Sequence, residues 1–156
     1  MKTLFLTAAM LLIATPAFAD HNGSDHSHDV DGKNVYGTWV VGSGNAHVEI
    51  VDCGDGTPCG TISHLTNPDS AGALDDNNPD PELAKKPLIG SRMLWGFEAK
   101  KTKWSGGRIY DAESGKDYKS KLQLQDDGTL EIKGCIGPFC QTQVWTAVTP
   151  SPATPS

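Results

Sequence analysis

From Tyr118 to Gln125 the side chains alternate. Tyr118, Ser120, Leu122 and Leu124 share one face, and Lys119, Lys121, Gln123 and Gln125 share the other. The same period recurs where Leu130 and Ile132 oppose Glu131 and Lys133, and where Val48 and Ile50 oppose His47 and Glu49. Period two is what an antiparallel strand with one buried and one wet face requires. No run keeps a helical period over three turns. The nearest, Pro81–Lys86, is long enough for about one turn. A core must therefore be built from sheet.

Eight such runs can be marked: Val35–Val41, His47–Asp52, Gly60–Leu65, Arg92–Ala99, Arg108–Asp111, Tyr118–Gln125, Thr129–Gly134 and Thr142–Val148. Gly- and Asp-rich turns separate most of them, and Asp127-Gly128 is a strong hairpin signal. Short strands with close turns predict an all-β barrel or sandwich. One connection breaks the rule. Thr66 to Ile89 is too long for a simple link, carries several Asp and Asn residues, and is predicted to hold the one short helix. Connections of this length in small domains are often functional.

The first residues set the compartment. Lys2, the apolar run Leu4–Ala14, Pro16 and Ala17-Phe18-Ala19 form the pattern of a cleaved secretory signal, residues 1–19. Cleavage after Ala19 leaves 156 − 19 = 137 residues, one domain of ordinary size. Residues 20–33 are a polar His/Asp-rich leader expected to be disordered, 34–148 the folded domain, and 149–156 a loose tail. Neither a second spanning apolar run nor a cysteine at the cleavage point is present. The expectation is a soluble periplasmic or secreted protein without membrane insertion. The net charge of −6 argues against nucleic acid and anionic membranes as partners.

Cys53, Cys59, Cys135 and Cys140 make an even count in an exported chain, which reads as two disulfides. Each neighbouring pair brackets a Gly/Pro-containing turn, so Cys53–Cys59 and Cys135–Cys140 are the expected bridges. The spacings lack the C-x2-C of zinc sites.

No catalytic constellation emerges, and no cofactor is implied. Ser43 lacks the glycine spacing of a nucleophile elbow. Glu49, Glu98 and Asp111 could supply a glycosidase pair only if two of them face each other. An EF-hand starting at Asp76 fails, because Pro81 and Pro87 stand where Gly and Glu are needed. His21, His26 and His28 in the leader could take a transition metal. Met93, Trp95 and Phe97 fall on one face by period two. With Trp39 and Tyr118 they are the candidate wall of a small-ligand cavity.

Eight motifs in order carry a resemblance. They are Gly37-Thr38-Trp39, Cys59-Gly60-Thr61-Ile62, Asp76-Asn77-Asn78-Pro79-Asp80, Lys86-Pro87-Leu88-Ile89-Gly90, Gly107-Arg108-Ile109-Tyr110-Asp111, Gly115-Lys116-Asp117-Tyr118, Gly134-Cys135-Ile136-Gly137 and Gln143-Val144-Trp145-Thr146. Together, over Val35 to Val148, they resemble the bacterial exported family called domain of unknown function 2147. The resemblance implies an antiparallel up-and-down β-barrel of about eight strands, lipocalin-like. Lipocalins set an Arg from a late strand against the Trp of Gly-x-Trp; here Ala147 follows Trp145-Thr146. The leading expectation is a non-catalytic periplasmic protein. It would hold a small, partly apolar ligand in the barrel mouth under a Thr66–Ile89 lid. The alternatives are a structural or protein-interaction module of the envelope and a hydrolase of wall material.

Overall fold

The computed structural model describes residues 32–148. The expected signal peptide over residues 1–19, the candidate metal ligands His21, His26 and His28, and the expected tail over residues 149–156 lie outside the described residues. Within the described residues nine strands follow one another: β1 (Gly37–Val40), β2 (Ala46–Asp52), β3 (Pro58–Leu65), β4 (Arg92–Trp95), β5 (Glu98–Ala99), β6 (Trp104–Asp111), β7 (Lys116–Leu124), β8 (Leu130–Ile136) and β9 (Phe139–Ala147). All pairings are antiparallel. β1 pairs with both β2 and β9, and β4 pairs with both β3 and β6, so eight strands close a ring. The short β5 rides on the start of β6. Closure makes a barrel rather than a sandwich and removes the sheet edges that would otherwise invite pairing.

Local chemistry sets the hairpins. At Asp127-Gly128 the Asp127 carboxylate accepts from the Thr129 amide and hydroxyl at 2.9 and 2.6 Å, and Gly128 takes the left-handed φ of 80° the turn needs. Both bridges form as the spacing predicts, Cys53–Cys59 across the β2–β3 turn and Cys135–Cys140 across the β8–β9 turn. Each closes a small loop, worth about 2 kcal/mol in the chain-entropy account. The double replacement Cys135→Ser/Cys140→Ser should therefore lower urea-unfolding stability by about that much. A loss below about 0.5 kcal/mol would show that the hairpin is fixed without its bridge.

The alternation read from sequence places the core. Val48, Ile50, Leu122 and Leu130 point inward and are fully buried as that alternation has them; Trp145 and Leu94, the latter on the face opposite Met93, Trp95 and Phe97 in the sequence reading, are fully buried with them. One end is plugged. The Leu124 amide donates to the Gly32 carbonyl, Trp104 Nε1 to that of Lys33 at 2.7 Å, and Trp39 Nε1 to that of Val35 at 2.9 Å. The barrel thus takes in Gly32 and Lys33, two residues before the boundary expected at Asn34. Trp39 has its polar partner within four residues and uses no Arg.

Two readings need correction. Arg92–Ala99 is not one strand. Gly96 has φ 74°, breaks it into β4 and β5, and lets the chain turn. Where β3 pairs with β4, Thr61 faces Arg92 but Gly60 faces Leu94, so Met93 is an extra, bulged residue. Leu94 is therefore the buried core position, and Met93, Trp95 and Phe97 do not share a face. The helix of the long loop is also misplaced. The loop holds a short 3₁₀ turn at Pro68–Ser70, capped by Asn67, while residues 80–86 form non-helical turns.

Candidate functional site

Opposite the plug the barrel is open. A cavity of about 510 Å³ occupies that end. Its apolar wall comes from Met93, Ile109, Tyr118 and Ile132, and Gly134 makes room by having no side chain. Asp111, Gln141 and Gln143 add polar groups. Gln143 Oε1 is held by Trp145 Nε1 at 3.0 Å, which leaves its amide NH₂ as a donor to the cavity. Ile136 and Phe139 stand on the rim, 69% and 80% exposed. Below, the row Gly107–Ser120–Gly134 crosses three strands. Ser120 Oγ is buried there without a protein partner, an unusual state for a hydroxyl.

A second cavity, of about 600 Å³, lies on the outer wall beneath the long loop. The loop is anchored by Asp75, 3% exposed. Its carboxylate accepts from Tyr110 Oη at 2.7 Å and from Asn78 Nδ2 at 2.7 Å. Asn77 Nδ2 donates to the Ala112 and Glu113 carbonyls of the β6–β7 turn at 3.1 Å each. Burial and the Asp75 carboxylate hold the Tyr110 phenol well above its ordinary range. These bonds fix the loop to the side of the barrel. No residue of Thr66–Ile89 lines the mouth cavity, so the loop is not its lid in this conformation.

The five candidate wall residues separate. Met93 and Tyr118 line the mouth cavity together. Trp95 lines the loop cavity instead, with the Arg92 guanidinium 4.7 Å over its ring. Phe97 is buried over Gly107, and Trp39 belongs to the plug. Sequence reasoning missed Gln141, Gln143 and Gly134, since polar residues and a glycine on a strand read as a wet face. Their spacing of two with the buried Trp145 and Ile132 was the available signal.

The groups considered for chemistry are dispersed or engaged. His47 and His64 face each other on β2 and β3 with ring centroids 5.0 Å apart. The Ser43 hydroxyl donates to Asn45 Oδ1 within its own turn. Glu98 pairs with Lys100 at 3.2 Å, and Asp111 accepts from its own β6–β7 turn. Among the described residues no three His, Cys, Asp or Glu side chains gather as a metal site. Nor, among them, is any helix long and apolar enough to cross a membrane.

A closed ring of eight antiparallel strands, plugged at one end and open at the other, defines a lipocalin-like barrel. One solved structure is similar, described as "Protein HP1028 from the human pathogen Helicobacter pylori belongs to the lipocalin family". It superposes with a TM-score of 0.67 at 20% identity, covering 76% of this chain and 85% of that one. The chain belongs to the bacterial family described as "Uncharacterized protein conserved in bacteria (DUF2147)", whose model matches residues 37–147. No curated protein matches significantly.

Proposed function

We propose that the chain is a non-catalytic binding protein of the bacterial periplasm, holding a small, partly apolar ligand in the open end of its barrel. The observation that carries this reading is the mouth cavity: about 510 Å³, walled by aliphatic and aromatic side chains with a few amides and one carboxylate. That size and mixture are typical of small-molecule sites. The solid core below means that only the upper part of the barrel is available. Two disulfides suit an oxidising compartment, in line with a signal peptide over residues 1–19.

Gly134 gives a direct test. A Cβ built there meets only Ile109 Cγ2 at 3.5 Å and Tyr118 Cβ at 3.9 Å, ordinary contact distances. Gly134→Leu should therefore fill the cavity without distorting β8. An apolar fluorescent probe should bind the parent protein and bind Gly134→Leu at least tenfold more weakly, with the melting temperature held or raised. Equal binding to both would remove the mouth cavity as the site. Native mass spectrometry of protein purified from its own periplasm would show a retained natural ligand as added mass.

A further inference from the structure

The net charge of the chain is negative, but one wall of the barrel is not. On β7 the outward residues include Lys119 and Lys121, between the outward Arg108 of β6 and Lys133 of β8. The register sets Lys119 directly opposite Arg108, and Lys121 directly opposite Lys133. Like charges facing each other across strands are destabilising, and here they occur twice on adjacent strand pairs. Lys116 joins Arg108 and Lys119 along one shallow groove, and Lys103 joins Lys121 and Lys133 along another. Six of the chain's 13 cationic residues thus share this wall. The acids in the two grooves are Asp117, which pairs with Arg108, and Glu131, which pairs with Lys133. Six cations against two carboxylates leave a local charge of +4.

Ile136 lines the first of these grooves as well. It is cross-strand partner to Phe139 at the tip of the β8–β9 hairpin. These two apolar side chains are the most exposed of the large hydrophobics among the described residues, at 69% and 80%. The Cys135–Cys140 bridge directly behind holds them out. A rigid apolar tip beside a basic wall matches the requirement for lying on a lipid surface. Apolar side chains enter the headgroup boundary while lysines meet the anionic headgroups. A soluble polyanion would use the lysines but would have no use for the tip. We infer that this corner of the barrel docks on a bilayer carrying anionic lipid. The tip also forms the rim of the mouth cavity, so docking would bring the cavity to the membrane surface. The inference does not depend on the cavity holding a ligand.

Flotation of the purified protein with vesicles tests it. The protein should float with vesicles of phosphatidylglycerol and phosphatidylethanolamine, stay behind with phosphatidylcholine alone, and be released in high salt. Lys119→Gln/Lys121→Gln should weaken binding about 25-fold, at about fivefold per lysine. Phe139→Ser should also weaken it, while Lys85→Gln, in the long loop and outside both grooves, should not. Both binding variants alter exposed residues, and their melting curves check folding. Probe binding in the cavity should survive the lysine changes, which separates failure here from failure of the ligand site. Equal binding to both vesicle types, or an unchanged affinity in the lysine variant, would overturn the inference. So would absence of flotation, including the case where soluble polyphosphate binds and vesicles do not.

Discussion

Trp145→Ala should be the most damaging single truncation, costing about 3–5 kcal/mol in urea unfolding. Trp145 is the largest side chain that is wholly buried. It sits inward on β9 beside Leu130, its cross-strand partner, itself buried completely. Removal opens a void that a closed ring of strands cannot collapse to fill, because each strand is tied on both sides. It also frees Gln143, whose side-chain oxygen Trp145 Nε1 holds in the cavity wall. Probe binding should therefore change along with stability. Trp95→Ala is the control. Trp95 is only half buried, against the loop cavity, with Arg92 stacked over it. Its loss should cost roughly 1–2 kcal/mol, part area and part cation–π contact. If the two substitutions cost the same, the division into a filled lower core and an open mouth is wrong.

The contrast between these tryptophans shows what a sequence can and cannot reveal here. The eight strands of the ring, the Asp127-Gly128 hairpin and both disulfides depend on neighbours within a few residues, and these were legible. Alternation in β2, β7 and β8 assigned Ile50, Leu122 and Ile132 to the correct side. It failed in Arg92–Ala99, where one bulged residue at Met93 and one left-handed glycine at Gly96 shift the phase. A shift of one residue exchanges the two faces of a strand, so Trp95 and Leu94 traded places. The signals for this were small, a single Gly inside an apolar run.

The candidate site was less legible than the fold. A cavity wall tolerates Gln and Gly where a packed core would not, so Gln141, Gln143 and Gly134 resemble solvent-facing positions when read along the chain. Tyr118 and Met93, which line the cavity, were chosen because they are large and apolar, not because anything local marks a void. The basic wall was hidden for a different reason. Net charge is a sum over the whole molecule, and the acids of the 66–91 loop and the turns outweigh the lysines of β7. Only the register of three strands puts Arg108, Lys119, Lys121 and Lys133 side by side.

Tyr110→Phe should release the long loop from the barrel and cost about 2–3 kcal/mol, the range for a hydrogen bond to a charged group left unsatisfied. The phenol and the Asp75 carboxylate are both buried, and the bond between them spans 35 residues of sequence. Without the hydroxyl, Asp75 keeps only the Asn78 side-chain donor. Asp75→Asn should cost less, since it removes the buried charge and retains an oxygen acceptor for Tyr110. Hydrogen exchange should show where the energy goes, with faster exchange at the Asp75 and Asn78 amides, which bond within the loop and to Lys86. The β7 and β8 ladders should be unaffected. Alkaline titration supplies the independent check. The folded barrel holds the Tyr110 proton more tightly than the unfolded chain does. The resulting stability is complete below the unfolded phenol's pKa of about 10, and is lost as pH rises through the higher folded value. Wild-type stability should fall above pH ~10 more steeply than that of Tyr110→Phe, which has no such proton to lose. Parallel pH profiles for the two proteins would mean that the Tyr110–Asp75 bond does not anchor the loop in solution.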